Sequence, residues 1–264
     1  TETYDTGKGG LENADELLTL FEKNQLELAS LENLVENEQE ICSRIERLSK
    51  NLNNFAARLS QQRLHAAKKM DQAIVSELHQ LGMEKARFET QIVSASLTAD
   101  ENLCTSTGID RVEFILTVNP GQEMRSLVKV ASGGELSRIM LALKTVLTSL
   151  DTVEILIFDE IDTGISGAIA EIVGQKLHSL GVRHQTLCVT HLPQIVAFAE
   201  HHYLVSKRLA ANETFTNISP LLTQDDRVRA LADLIGGQEI SENTMELANE
   251  MLNKFQTKKT VQDL

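Results

Sequence analysis

The sequence predicts an α/β fold, a lobe with a parallel sheet core and added antiparallel strands, preceded by a long coiled-coil helical arm. Three observations predict it. Residues 11–81 contain neither Pro nor Gly and carry an apolar stripe at heptad-like spacing. Residues 86–118 hold two segments that alternate apolar and polar positions. Beyond residue 131, short apolar runs alternate with stretches of helical period, the pattern of a parallel sheet with covering helices. The expected division is an arm over 1–82 and a lobe over 83–264.

The 264 residues, 42% of them hydrophobic, suffice for one core with an appended element. Aromatic content is 4% with no Trp, which suits long helices better than a β-sandwich. The net charge of −13 argues against a freestanding nucleic-acid-binding domain, since such domains are usually basic. Cys42, Cys104 and Cys188 lie far apart without CxxC spacing, so free thiols and no zinc site are expected. No apolar run approaches the roughly 20 residues of a membrane span, and the polar start at 1–10 lacks a signal-peptide core. A soluble, cytoplasmic protein is expected. The chain does not begin with Met, which suits a piece of a longer protein.

In the arm, Leu28, Leu31 and Val35 step by three and four, and Ile41, Ile45, Leu48, Leu52, Phe55 and Leu59 continue the alternation. Joining the two runs takes an extra step of three, which predicts a local irregularity near Glu38. Ala67, Met70, Ile74, Leu78 and Leu81 carry the stripe to Gly82, a helix stop. One arm of a coiled coil is the preferred reading, and its antiparallel partner is not in the sequence. The competing reading is a pair of amphipathic helices broken within 30–37. Charge divides along the arm: residues 11–40 hold nine acids against Lys23, whereas 58–69 hold Arg58, Arg63, Lys68 and Lys69 and no acid. That strip is either a contact for DNA phosphates or a solvated helix face.

After Gly82, residues 86–96 and 111–118 read as antiparallel strands joined by a polar loop at 99–110, and Asn119-Pro120-Gly121 as a turn. A helix is predicted over 135–149, a buried strand over 155–158 and a helix over 168–180. A second buried strand follows over 187–189, then a short helix over 192–200. Further strands are expected at 203–205 and 215–218, and helices at 225–234 and 242–255. Cys188 should be inert core, Cys42 exposed, and His65, His79, His178 and His184 surface residues. His201-His202 opens a strand without metal-ligand spacing.

Three segments carry chemistry. The apolar run Ile155-Leu156-Ile157-Phe158 leads straight into Asp159-Glu160. A strand ending in carboxylates puts them at the sheet edge where α/β ligand sites form. There the first carboxylate suits Mg²⁺ and the second a general base for water. Ser132-Gly133-Gly134-Glu135 opens a helix with free N–H groups and no side chains to keep an anion away. Val189-Thr190-His191 delivers a histidine to another strand end, in place to meet a terminal phosphate. Each has a plainer reading alone: a strand end, a Gly-rich helix start, a satisfied histidine.

In this order, the segments resemble the ABC ATPase family. Ser132, Gly133, Gly134 and Glu135 match its signature motif, 155–160 its Walker B strand, Asp162-Thr163-Gly164 its D-loop and His191 its switch histidine. The finer resemblance is to the SMC-like DNA-repair branch, through the runs 129–138, 158–167 and 188–194 and the flanks 110–114, 119–121 and 234–237. Glu135, where transporter ATPases usually carry Gln, sides with that branch. The resemblance covers about 65–255. A phosphate loop GxxxxGK[ST] is missing, and Gly7-Lys8-Gly9 lacks its spacing. The chain therefore looks like the second arm and the second half of an ATPase head.

The resemblance implies a complete bacterial protein, nucleoid-associated in the cytoplasm, that binds and hydrolyses ATP with Mg²⁺ while acting on DNA in double-strand-break repair and recombination. Asp159 would hold the metal, Glu160 act as base and His191 meet the γ-phosphate. Ser132, Gly133, Gly134 and Glu135 would face ATP held by a second head, and Asp162 and Gly164 would border the nucleotide. The implied partners are DNA, the N-terminal half of the same head and a second copy in a homodimer, with no membrane. This chain alone is expected to be inactive, with apolar surface uncovered on the sheet and along the arm stripe. Two rivals remain open: half of a transporter-type ATPase, and a non-hydrolysing coiled-coil interaction protein with the same fold.

Overall fold

The computed structural model describes residues 14–95, 104–119, 121–129, 132–210, 213–237 and 240–262. The expectations that rest on 1–13, 96–103, Pro120, Val130 and Ala131 lie outside the described residues. The chain divides into two compact units, Thr1–Gln62 with Ser94–Ile109, and Arg63–Val93 with Asp110–Leu264.

Helix α1 runs from Ala14 to Gln80, 67 residues without a break. Neither the irregularity expected near Glu38 nor the break considered at 30–37 occurs. A shift in the apolar stripe disturbs packing on a partner, whereas the i→i−4 ladder continues as long as no Pro or Gly interrupts it. In the first unit the stripe lies open: Leu28, Leu31 and Ile45 are more than half exposed. A tight turn over 104–108 is closed by reciprocal backbone bonds between Thr105 and Gly108, each 3.0 Å.

In the second unit, α1 ends as predicted at Gly82. The Gly82 N–H donates to His79 O (3.2 Å) and the Met83 N–H to Leu78 O (3.0 Å), the two bonds of a Schellman motif. Gly82 has φ +81, a conformation that glycine adopts without penalty. Leu78, Leu81 and Met83 turn into the main core with Ile74, Phe88 and Leu116.

Strand β1 (Arg87–Ser94) lies beside β2 (Asp110–Thr117), and β2 pairs antiparallel with a two-residue β3 (Arg125–Ser126). So short a strand has no periodicity to betray it. Helix α2 (Gly133–Leu147), strand β4 (Ile155–Phe158), helix α3 (Gly167–Gly181) and strand β5 (Gln185–Cys188) follow. β4 and β5 pair in parallel, from Ile155 opposite Gln185 to Phe158 opposite Cys188. Ile139, Leu141 and Ala142 of α2 and Ala170, Val173 and Leu177 of α3 join Leu156 and Phe158 in the same core.

The other face of this pair is open. Ile155 is 52% and Ile157 72% exposed, and Leu187 and Val189 are 44% and 60% exposed. Strands expected to be fully buried are thus covered on one face only, and the uncovered apolar surface expected of the sheet is present.

A short α4 (Pro193–Val196) leads to β6 (His202–Ala210), β7 (Glu213–Leu221), α5 (Gln224–Gly236) and α6 (Glu242–Gln262). β6 and β7 pair antiparallel along their whole length, His202 opposite Leu221 through Ala210 opposite Glu213. They form a sheet of their own; the two residues between them suit an antiparallel hairpin, whereas a parallel return needs a crossover of about a dozen residues or more. Thr223 starts α5 as a cap, accepting from the Asp226 N–H at 3.1 Å. Leu231, Ala232, Ala248 and Leu252 form a second, smaller core.

One histidine departs from expectation. His184 is buried, its Nδ1 2.7 Å from Val153 O. His202 is also buried, with Nε2 3.3 Å from Arg227 Nη2. Cys42 is exposed and Cys188 half-buried. Among the described residues, no helix is long and apolar enough to cross a membrane, and no cluster of His, Cys, Asp or Glu could by itself hold a metal ion.

Candidate functional site

The site is built where two parallel strands end at the same edge. Beyond the Phe158–Cys188 pair, β4 delivers Asp159-Glu160 and β5 delivers Val189-Thr190-His191. The Val189 N–H still donates to Phe158 O at 3.0 Å, so the two strand ends stay in register as they leave the sheet. Asp159 and Glu160 are both exposed. Asp159 Oδ1 accepts from the Glu160 N–H at 2.8 Å.

Glu160 has φ +57, the only positive value of a non-glycine residue among those described. That conformation costs a residue with a Cβ about 1–2 kcal/mol, and such strain concentrates at functional positions. The turn after it is closed by the Thr163 N–H donating to Glu160 O at 3.0 Å.

The start of α2 is pressed onto this turn. A Cβ on Gly133 would lie 2.1 Å from Glu160 Oε2, so the carboxylate occupies the space beside the first residue of the helix. A Cβ on Gly134 would lie 2.8 Å from Thr163 Cβ and 2.9 Å from Glu160 O. Gly134 is needed for this close approach because its neighbours include backbone oxygens, whereas the exposed Glu160 side chain can swing away from a Cβ at residue 133. Ser132, the N-cap, is exposed with extended backbone, and its side chain makes no capping bond. Glu135 is half-buried in the first turn.

Two and three residues beyond Glu135, α2 makes two more links to the same turn. Ser137 Oγ donates to Asp159 O at 2.6 Å. The buried Arg138 donates through Nη1 to Thr163 O at 2.7 Å and to Ile161 O at 3.4 Å. Burial lowers the Arg138 pKa from its ordinary value, with Glu135 opposing. Sequence reasoning passed over Ser137 and Arg138. They lie three and four residues after Gly134, on the face of the helix that the glycines already commit to the turn.

The loop after β4 is also tied to the loop after β5. Asp162 is buried, and its Oδ2 accepts from Thr190 Oγ1 (2.6 Å) and from the His191 N–H (2.9 Å), with His191 Nδ1 2.9 Å away. Burial opposes ionisation of Asp162, but the bonds from Thr190 and the His191 N–H, with the nearby imidazole, outweigh it and lower its pKa. The His191 side chain is 75% exposed beyond this contact. Thr190 Oγ1 in turn accepts from the Leu192 N–H at 3.1 Å. Gly164 takes φ +76 in the same loop. The Cys188 thiol, pushed up to about 12 by burial and by Asp162 and Asp159, stays protonated.

The structure thus brings Gly133, Gly134, Asp159, Glu160, Asp162 and His191, predicted from separate segments, to one edge. The basic strip of α1 is partly spent on structure, since Arg63 Nη1 donates to Asp110 Oδ2 at 2.7 Å. An exposed helix start with glycine at its first position fits an anion such as a phosphate. One exposed carboxylate at a strand end fits Mg²⁺, which is usually held by one or two carboxylates with phosphates and waters rather than by a protein cage.

No family model matches the chain. It is 36% identical over 255 residues to the DNA repair protein RecN of Bacillus subtilis, covering 93% of this chain and 44% of that protein. With RecN of Vibrio cholerae it shares 38% identity over 226 residues, 86% of this chain and 40% of that protein. The chain thus spans less than half the length of these relatives and matches their C-terminal part. The Smc head domain of Pyrococcus yayanosii, solved with a coiled coil and joint, is 18% identical, with a TM-score of 0.51 over 85% of this chain and 38% of that one. This chain therefore has the fold of part of an Smc head.

Proposed function

We propose, from the premise that this chain is the counterpart of the C-terminal part of the DNA repair protein RecN, that it supplies one half of an ATP-hydrolysing head acting in DNA double-strand-break repair. The reading rests above all on one observation: the Ser132-Gly133-Gly134 helix start, Asp159-Glu160 and His191 converge at one sheet edge.

Bound there, ATP with Mg²⁺ would supply the electrophilic phosphorus and the charge that holds its oxygens. The residues of this chain do the rest. Asp159 would hold the metal with its exposed carboxylate. Glu160 takes a proton from the attacking water, and its strained backbone fixes where its carboxylate can reach. His191 presents its exposed ring edge to the terminal phosphate. Ser132, Gly133 and Gly134 offer a hydroxyl and N–H groups, with Glu135 in the first turn, to nucleotide carried by a second head; Asp162 and Gly164 shape the loop bordering it.

The halves must come together for this. The residues that hold β- and γ-phosphates in such enzymes are a phosphate loop and its Lys, and no GxxxxGK[ST] occurs in the sequence. The uncovered face of β4 and β5 and the open stripe of α1 suit the N-terminal half and its arm as cover. A homodimer of complete heads would then hold two composite sites. A helix of 67 residues argues against the transporter reading.

The test is Glu160→Gln in the complete protein. ATP binding should persist while turnover falls about 10²–10⁴-fold, the usual contribution of a general base. Turnover near the wild-type rate would remove Glu160 from that role.

A further inference from the structure

We infer that Arg138, aided by Ser137, is a positioning residue for Glu160: from the signature helix it holds the turn 159–163 in the strained form that aims the Glu160 carboxylate. The kinetic part of this rests on the ATPase reading above; the conformational part does not.

The carbonyls of the turn carry the case. Asp159 O accepts from Ser137 Oγ at 2.6 Å. Thr163 O accepts from Arg138 Nη1 at 2.7 Å, and Ile161 O from the same nitrogen at 3.4 Å. The carbonyls between these stay inside the loop, Glu160 O accepting from the Thr163 N–H and Asp162 O from the Ile165 N–H. Alternate carbonyls of the turn are thus held by α2. They flank Glu160, the only non-glycine residue with positive φ among those described. A strained backbone persists only where its surroundings over-determine it, and α2 supplies bonds on both sides of the strained residue.

The burial of Arg138 points the same way. It is 7% exposed, and a guanidinium is costly to bury unless it is bonded. Among the described residues its Nε finds no hydrogen-bond partner, and its side-chain bonds go to this turn. A side chain that only filled the core would gain nothing from the charge. Glu160, by contrast, is exposed, so backbone rather than packing sets its direction. Its φ fixes where the Cα–Cβ bond points. A turn relaxed to negative φ would swing the carboxylate away from the position at which the strand end presents it.

The test is a pair of double-mutant cycles. In this chain, Glu160→Gly relieves the strain and should raise the urea midpoint by roughly 0.3 M. In Arg138→Met, which keeps an apolar stem and removes the donors, the turn relaxes and Glu160→Gly should bring no such gain. If Arg138→Met does not fold, Ser137→Ala takes its place. It removes the bond to Asp159 O without opening the core, and the glycine gain should again shrink. In the complete protein, Arg138→Met should lower kcat about 10- to 100-fold, part of the contribution of a general base, with KM for ATP little changed. In a Glu160→Gln background it should leave the residual rate nearly unchanged, whereas general structural damage would slow both alike. An equal glycine gain with and without the α2 bonds, no gain in the wild-type chain, or equal slowing in both kinetic backgrounds would overturn the inference. Absence of any ATP turnover by the wild-type complete protein would overturn the ATPase reading, while the urea cycle still decided this one.

Discussion

Gly134→Ala tests the docking of the signature helix onto the turn that carries Glu160. The added Cβ would stand 2.8 Å from Thr163 Cβ, 2.9 Å from Glu160 O and 3.3 Å from Thr163 O. Two of these neighbours are backbone oxygens and cannot rotate away. Relief must come from moving α2, which would stretch the bonds from Ser137 to Asp159 O (2.6 Å) and from Arg138 to Thr163 O (2.7 Å). Overpacking of this kind costs about 1–3 kcal/mol, and a weakened hydrogen bond about 1 kcal/mol. Alanine returns at most about 1 kcal/mol through helix propensity. The net expectation is a loss of about 2 kcal/mol, which lowers the urea midpoint by roughly 1 M at an m-value of about 2 kcal/mol/M. Gly181→Ala is the internal control, because a Cβ there meets nothing within 4 Å. Urea unfolding of the two variants, followed by circular dichroism, makes the comparison. Equal midpoints for Gly134→Ala and Gly181→Ala would refute the close approach on which the site is built.

Other perturbations follow. Ser132→Arg in the complete protein should abolish ATP-dependent dimerisation while sparing ATP binding to one head; loss of binding to the monomeric head, read by equilibrium titration, would place the signature in its own head's site. His202 has its pKa lowered to about 4 by burial, with the Arg227 charge adding. The unfolded chain takes up that proton near 6.5 and the folded one near 4, so His202 should remove stability as pH falls through that window, by on the order of 3 kcal/mol. His202→Gln should flatten that part of the pH–stability curve, and curves that fell in parallel from pH 7 to 4 would contradict it. Gly174→Ala should destabilise too, since its Cβ would stand 2.4 Å from the ring of Phe198 and 3.1 Å from Gln194 O.

The long elements were legible because their signals are repetitive. Helix α1 shows itself by freedom from Pro and Gly, and its end by Gly82, where the Schellman bonds form. β4 agrees residue by residue with the run Ile155-Leu156-Ile157-Phe158, since a short apolar run bounded by polar residues has few other uses. What failed depends on partners distant in sequence. Hydropathy cannot tell a strand covered on both faces from one covered on one, so Ile157 read as buried and lies open. The β6–β7 pair was read into the parallel sheet because strand character does not reveal pairing direction. At the site, residue types and order pointed to Gly133, Gly134, Asp159, Glu160 and His191. The Asp162–His191 contact joins two loops and has no local signature. Arg138 was hidden as an ordinary helix-surface residue until its carbonyl partners were visible.

The central claim is that this chain carries the signature, Asp159-Glu160 and His191 of an ATPase head and depends on a second half for the phosphate loop. Calorimetric titration of this chain with ATP and Mg²⁺, repeated after adding the N-terminal part of the protein as a separate polypeptide, tests it most directly. This chain alone should bind ATP very weakly and show no turnover, and both binding and turnover should appear once the second polypeptide is present. Micromolar affinity or measurable hydrolysis by this chain alone would contradict it, because the phosphates would then be held by residues to which the account gives no such role.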